Sequence, residues 1–147
     1  MNLQDLSKDS GITLIEILLV MAIIAILAAS ISPFLSNFIM RNSHDVTLNR
    51  VLGSLRKAQT YSMSGKSNSI WGVCVNAEVL RVYTGSCTNP SYHEDYTIPG
   101  VISVSGLNDT TFSVGRGEPS TTSSITVTSV LDSDSVVVNT AGGIQLQ

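Results

Sequence analysis

The feature that most constrains this chain is an uncharged apolar run over residues 17–40, whose only polar side chains are Ser30, Ser32, Ser36 and Asn37. About 20 consecutive apolar residues in a helix cross the ~30 Å hydrocarbon core of a bilayer. Residues 17–29 are apolar on every face, whereas a helix on the surface of a soluble domain carries an apolar stripe. The run therefore predicts a membrane-spanning helix.

A cleavable secretory signal peptide is the other class of segment that such a run suggests. Ala25, Ala28 and Ala29 supply the small residues that a cleavage point needs. However, residues 1–11 are not basic, and Glu16 stands at the start of the run, which is unlike a signal peptide. These two features favour a membrane anchor.

Charge divides the remainder of the chain into two zones. Residues 41–66 carry five basic residues against Asp45, whereas residues 67–147 carry two arginines against seven acidic residues. With a net charge of −3, the chain as a whole makes no general case for binding nucleic acid. Two histidines and two cysteines leave little material for a metal site or a nucleophile. We therefore expect no enzyme, no catalytic residue, no metal and no cofactor.

Glu16 is the unusual residue of the apolar region. An ionised carboxylate at membrane depth costs roughly 2.5–3.5 kcal/mol on insertion scales, so such residues usually find a partner. One interpretation is that Glu16 stays hydrated at the interface, near the positive end of the helix dipole. The other is that it pairs with a positive charge supplied by another molecule.

The residues Ser-Gly-Ile-Thr-Leu-Ile-Glu at 10–16, together with the apolar run, resemble the N-terminus of type IV pilins and pseudopilins. In that family a prepilin peptidase cuts after the glycine, here between Gly11 and Ile12, and methylates the new amino terminus, here of Ile12. The resemblance implies that Glu16 meets the Ile12 ammonium of a neighbouring subunit and so sets the assembly register. It also implies a helix kink at Pro33.

Beyond the apolar run, the helix is predicted to continue in amphipathic form. An apolar stripe with helical spacing is formed by Leu48, Val51, Leu52, Leu55, Ala58 and Ser62. Arg50, Arg56 and Lys57 fall mainly off this stripe and are expected to form a solvated face. Gly65 is a suitable end for the helix.

The C-terminal part is predicted to be one antiparallel sheet folded against the amphipathic part of the helix. The predicted strands are 70–75, 79–84, 101–105, 111–114, 124–130, 135–139 and 143–146, with a hairpin at 76–78. The sequence His93-Glu94-Asp95 is expected to lie in a loop, without a catalytic role. The predicted turn at Asp132-Ser133-Asp134 is an ordinary place for aspartate, with a calcium site as the alternative.

Cys74 and Cys87 flank the predicted first hairpin. If this part of the chain lies outside the cytoplasm, a disulfide between them is favoured, because disulfides persist in oxidising compartments. The alternative is one buried cysteine and one free thiol.

Together, these observations predict an α+β protein with the lollipop pilin fold, a long N-terminal hydrophobic helix packed on an antiparallel β-sheet head. The expected segments are a prepilin leader (1–11), a transmembrane and filament-core helix (12–40), an amphipathic half-helix (41–66) and a globular head (67–147). The late hairpins and short last strand resemble minor pilins and pseudopilins of the GspH/FimT type.

The resemblance implies a structural, minor subunit of a type IV pilus or a type II secretion pseudopilus. Its implied partners are other pilin or pseudopilin subunits, prepilin peptidase, the inner-membrane assembly platform and membrane lipid. It implies a single-pass protein of the bacterial inner membrane, with the head in the periplasm or outside, which then enters the filament (fimbrium). The alternatives are a pilus adhesin or DNA-uptake receptor, or a plain single-span protein with an external domain. Residues 142–147 contain no base, so no DNA binding is expected there.

Overall fold

The computed structural model describes residues 11–147, apart from the side chains of residues 30–33. The predicted leader, except Gly11, therefore lies outside the described residues. A 50-residue helix, α1 (Leu14–Met63), is followed by a 3₁₀ turn at Lys66–Asn68. Eight strands follow: β1 (Trp71–Asn76), β2 (Val79–Gly85), β3 (Pro90–Thr97), β4 (Ser103–Ser105), β5 (Thr110–Phe112), β6 (Ser123–Thr128), β7 (Ser133–Val138) and β8 (Ile144–Leu146). The chain divides into two compact units, Met1–Ser36 and Asn37–Gln147.

The strands form two antiparallel four-stranded sheets, so the prediction of one sheet is wrong in this respect. The first sheet has the order β3-β2-β1-β5 and the second has the order β4-β6-β7-β8. The predicted first hairpin is present, because β1 and β2 pair from Trp71↔Thr84 to Asn76↔Val79. The chain leaves the first sheet for β4, returns to it for β5, and then completes the second sheet. Alternation within single strands indicates which face is buried, but it carries no information on which strands share a sheet.

The core of the second unit confirms the predicted stripe on α1. Leu48, Val51, Leu55 and Ala58 are buried, and Leu52 is half-buried. They join one cluster with residues of both sheets, which are Trp71, Val73, Leu80, Val82, Phe112, Ile125, Val127, Val136 and Val138 together with Ile98, Ile102 and Leu107 from the connections. A β domain of this size buries a limited core by itself, and the helix face completes it.

The segment around His93 is a strand and not the loop that we expected. β3 forms the edge of the first sheet and pairs with β2 over seven residue pairs, from Val79↔Thr97 to Gly85↔Pro90. Pro90 is its first residue, a position where an edge strand tolerates the missing N–H. Polar residues dominate β3, so the hydrophobic alternation that indicates a strand is missing from its sequence.

Lys57 also departs from the expected solvated face. Its ammonium donates to the Glu94 carboxylate and to the Tyr96 hydroxyl at 3.3 Å, and Tyr96 donates to Glu94 at 3.1 Å. The hydrogen bond from Lys57 lowers the pKa of Glu94, and the same contact raises the pKa of Lys57. The contacts of Lys57 with Glu94 and Tyr96 therefore hold β3 against α1 by an ion pair and hydrogen bonds, whereas other strands contact α1 through apolar side chains.

Replacing Glu94 with glutamine is expected to lower the free energy of unfolding by about 1 kcal/mol at pH 7, because the pair is partly exposed. The pKa of Glu94 is lower in the folded state than its ordinary 4.5. Its stabilising contribution is therefore present above pH 4.5 and is lost as the pH falls through the folded-state pKa. Chemical denaturation of Glu94→Gln and the parent protein at pH 7 and pH 3 checks this difference.

A matched control is Glu118→Gln, because the Arg116–Glu118 pair spans 3.6 Å and its side chains are 79% and 49% exposed. This control should leave the free energy of unfolding unchanged at both pH values. An equal loss of stability for Glu94→Gln at pH 7 and at pH 3 would contradict the ionic contribution of Glu94.

Candidate functional site

The start of α1 is set by Thr13. The backbone N–H of Glu16 donates to Thr13 Oγ1 at 3.3 Å and to the Thr13 carbonyl at 3.1 Å. Thr13-Leu14-Ile15-Glu16 has the Thr-x-x-Glu spacing of a capping box, in which a threonine side chain satisfies one of the free N–H groups of the first turn. With this cap, the helix begins at Leu14. Gly11, Ile12 and Thr13 precede it as exposed, non-helical residues. The Gly11–Ile12 peptide bond therefore lies outside the helix.

Gly11 is not required by the fold. A Cβ atom added there would meet nothing within 4 Å, and the φ of Gly11 lies outside the left-handed region. Gly106 shows the opposite case, because its φ is 77° and an added Cβ would lie 2.1 Å from the Ser124 carbonyl oxygen. Nothing among the described residues 11–147 therefore demands glycine at position 11.

Glu16 lies on an apolar face of the first turns of α1. Ile12, Glu16, Ile17, Val20 and Met21 line an open groove of about 290 Å³. None of the ion pairs among the described residues 11–147 includes Glu16. A carboxylate in apolar surroundings is stabilised by a positive charge close to it.

Cleavage between Gly11 and Ile12 would create such a charge. In the uncut chain the Ile12 nitrogen is a neutral amide, and hydrolysis would convert it to an ammonium group. Ile12 and Glu16 line the same groove, so the new cation and the carboxylate would be displayed on one face. Methylation of that nitrogen would keep its charge.

The apolar part of α1 is exposed in the isolated chain. Among the described residues, α1 is the one helix that is long and apolar enough to cross a membrane. Its most apolar 18-residue segment has a mean hydropathy of 2.8, and none of that segment is buried. Length and composition alone support this, and a signal sequence near the N-terminus meets the same criteria. The complete exposure argues against the core helix of a soluble domain. Pro33 lies within α1, the structure does not describe its side chain, and the kink stays a prediction.

Cys74 and Cys87 form a disulfide, with 6.2 Å between their Cα atoms. Cys74 lies in β1 with 2% exposure, and Cys87 follows β2, where its carbonyl accepts a hydrogen bond from Arg81 at 3.0 Å. The bond closes the first hairpin against the loop that leads to β3.

The double variant Cys74→Ala, Cys87→Ala is expected to lose roughly 3 kcal/mol of stability, because the crosslink restricts the unfolded chain. For a folded unit of this size the loss corresponds to a fall of about 10 °C in melting temperature. Thermal unfolding of the detergent-solubilised chain, with and without a reducing agent, measures the effect. Reduction should destabilise the parent protein and leave the double variant unchanged; an unaltered parent melt after reduction would contradict the prediction.

The acidic residues that could suggest chemistry contact basic side chains of the strands and of α1. Asp95 receives two hydrogen bonds from Arg81, at 2.7 and 2.8 Å, and these lower its pKa. Asp132 lies 4.0 Å from Arg41, and Asp134 lies 3.6 Å from His44. Within residues 11–147, no three histidine, cysteine or acidic side chains are grouped as metal ligands. These contacts join the strands to one another and to α1.

Two comparisons with known proteins agree with this picture. Residues 6–32 match the prokaryotic N-terminal methylation motif. No curated protein matches the chain. Among solved structures, the minor pseudopilin EpsH from the type 2 secretion system of Vibrio cholerae is similar with a TM-score of 0.56 and 11% sequence identity, over 71% of this chain and 96% of that chain.

The motif is observed in the sequence, and the structural similarity is observed in the fold. The motif covers the region of Gly11, Ile12 and Glu16, and the structural similarity covers most of the chain at an identity too low for sequence to reveal it. Each was expected from the N-terminal residues and the strand pattern. The chain therefore has a prokaryotic N-terminal methylation motif at residues 6–32 and a fold similar to that of a minor pseudopilin.

Proposed function

We propose that this protein is a minor structural subunit of a type II secretion pseudopilus or a type IV pilus. The observation that carries the proposal is one helix that begins with a methylation motif and ends inside the core of a pseudopilin-like head. Such a chain can be anchored by residues 12–40 and assembled through the same helix. Residues 41–66 then join the head, and residues 67–147 supply its strands.

In this proposal residues 1–11 are a leader that prepilin peptidase removes between Gly11 and Ile12. The non-helical backbone at Gly11 and Ile12 and the capped helix start at Thr13 support it, because proteases act on extended, accessible peptide bonds. The new Ile12 ammonium of one subunit then meets Glu16 of its neighbour. Both charges are costly alone in an apolar filament core and tolerable together, so the pair specifies register.

The proposed partners are other pilin or pseudopilin subunits, the peptidase, the inner-membrane assembly platform and lipid. The similarity to a minor pseudopilin supports the minor role, and the exposed apolar helix supports a single-pass location in the inner membrane before assembly.

The test is intact and N-terminal peptide mass spectrometry on protein from cells with and without prepilin peptidase. The proposal expects a mature chain that starts at Ile12 only where the enzyme is present. An uncut start at Met1 in both strains would indicate a plain single-span protein, and a start after Ala28 or Ala29 would indicate a secreted one. Either result would overturn the proposal.

A further inference from the structure

The hairpin between β6 and β7 has an unusual tip, which we call the apolar tip and define as Val130 and Leu131. Val130 is 81% exposed and Leu131 is 40% exposed. Hairpin tips ordinarily carry glycine, asparagine, aspartate or serine, because these residues suit tight turns and water. Here two adjacent apolar side chains occupy the turn and are left largely outside the core.

The apolar tip is held in place by the residues on either side of it. Ser129 Oγ accepts the backbone N–H of Leu131 at 3.3 Å and that of Asp132 at 2.9 Å. The Ser129 N–H donates to the Asp132 carbonyl at 2.8 Å. A turn closed in this way has already lost its conformational freedom, so docking Val130 and Leu131 elsewhere costs little further ordering.

The tip lies beside the part of α1 where the uncharged run ends. Asp132 is 4.0 Å from Arg41, the first charged residue after that run. His44 fixes the same hairpin to the helix, because its ring contacts the Val127 carbonyl at 3.1 Å and Asp134 at 3.6 Å. An arginine that follows a membrane span sits at the level of the lipid headgroups. The contact between Arg41 and Asp132 therefore brings the hairpin to that level.

We infer that Val130 and Leu131 insert into the lipid interface while the chain is anchored in the membrane. The surroundings of the tip indicate an apolar contact and not an electrostatic one, because Asp132 and Asp134 follow it in sequence and Arg41 lies 4.0 Å from Asp132. Zwitterionic lipid should therefore serve as well as anionic lipid. The inference requires that α1 spans the bilayer, and it does not depend on filament assembly.

The test places one nitroxide label on the full chain in phosphatidylcholine vesicles. All cysteines among the described residues are in the disulfide, so an added cysteine is a unique thiol in the oxidised protein. Val130→Cys reports on the tip. Val114→Cys is the matched control, because Val114 is also an exposed valine, with 48% exposure. The N–H of its neighbour Gly115 donates to the Ser62 carbonyl, and Ser62 lies about 30 Å along α1 from Arg41. Position 114 is therefore far from the expected level of the lipid headgroups.

Lipid-soluble oxygen and a water-soluble nickel complex then measure the depth of each label by paramagnetic relaxation. The ratio of oxygen to nickel accessibility should be about tenfold higher at position 130 than at position 114. Transfer of one valine-sized side chain from water to lipid favours the inserted state by about this factor. Addition of phosphatidylglycerol should leave this ratio unchanged. A third label, Ile24→Cys, verifies that the span is inserted.

A label at position 130 that is as accessible to nickel as the label at position 114, with position 24 in lipid, would overturn the inference and leave the membrane anchor intact. Protection at position 130 only after other pilin subunits are added would assign the tip to a protein contact and would also overturn it. A label at position 24 that is exposed to water would instead reject the membrane span, and with it both the inference and the proposed anchor.

Discussion

Replacing Glu16 with glutamine or valine will leave the chain membrane-bound and cleaved, but will remove it from sheared filaments. In the proposed filament the variant leaves the Ile12 ammonium of a neighbour without its counter-charge. Breaking one side of a buried charge pair costs about 3–5 kcal/mol, which corresponds to a fall of at least roughly 100-fold in incorporation. Quantitative immunoblots of the sheared and membrane fractions measure the ratio.

Three variants separate charge from shape at this position. Glu16→Gln keeps the size and removes the charge, Glu16→Asp keeps the charge on a shorter side chain, and Glu16→Val removes both. The helix cap survives in all of them, because Thr13 Oγ1 accepts the backbone N–H of residue 16. We expect the aspartate variant to retain partial assembly. Normal recovery of the glutamine variant in filaments would contradict the register role of Glu16.

The features predicted correctly from the sequence are those encoded by neighbouring residues. The apolar run, the stripe from Leu48 to Ser62 and the hairpin between β1 and β2 each depend on a short periodic pattern, and the structure contains all three. Local periodicity is the strongest structural signal in a single sequence. The family resemblance rests on a similarly local motif.

The features that were missed depend on contacts between distant parts of the chain. β3 became a strand because β2 offered an edge and because Lys57 supplied a counter-charge for Glu94. The division into two sheets likewise depends on tertiary packing. Gln59 is a further example, because its side chain donates to the carbonyls of Gly117 at 2.9 Å and Gly142 at 2.8 Å, and so joins two loops to α1. Nothing near these residues in sequence indicates such partners.

At the candidate site, the sequence contained one signal that was overlooked. Thr13 and Glu16 have the spacing of a capping box, which predicts that the helix begins at residue 14. This boundary explains why Gly11 and Ile12 are outside the helix and accessible. The identity of the residue that pairs with Glu16 could not come from one chain, because the expected partner belongs to another subunit.

Replacing Gly11 with alanine will leave the fold unchanged and will slow removal of the proposed leader. The structure has open space around Gly11 and no left-handed φ there, so the added methyl group should not alter the melting temperature. In the proposed processing step, the demand for glycine comes from close approach of its backbone to the peptidase, where a Cβ atom would collide. We expect a fall of at least roughly tenfold in cleavage rate, the usual effect of one methyl group in a close-fitting site.

The matched control for Gly11→Ala is Gly53→Ala, since Gly53 is an exposed position within α1 that also has nothing within 4 Å of an added Cβ. This control should be cleaved normally and should gain about 0.5–1 kcal/mol of stability, because alanine favours the helix more than glycine does. Pulse–chase labelling followed by mass spectrometry resolves precursor from mature chain. If Gly11→Ala were cleaved at the rate of Gly53→Ala, glycine at position 11 would have no role in recognition, and the processing site would have to be sought elsewhere in the N-terminal segment.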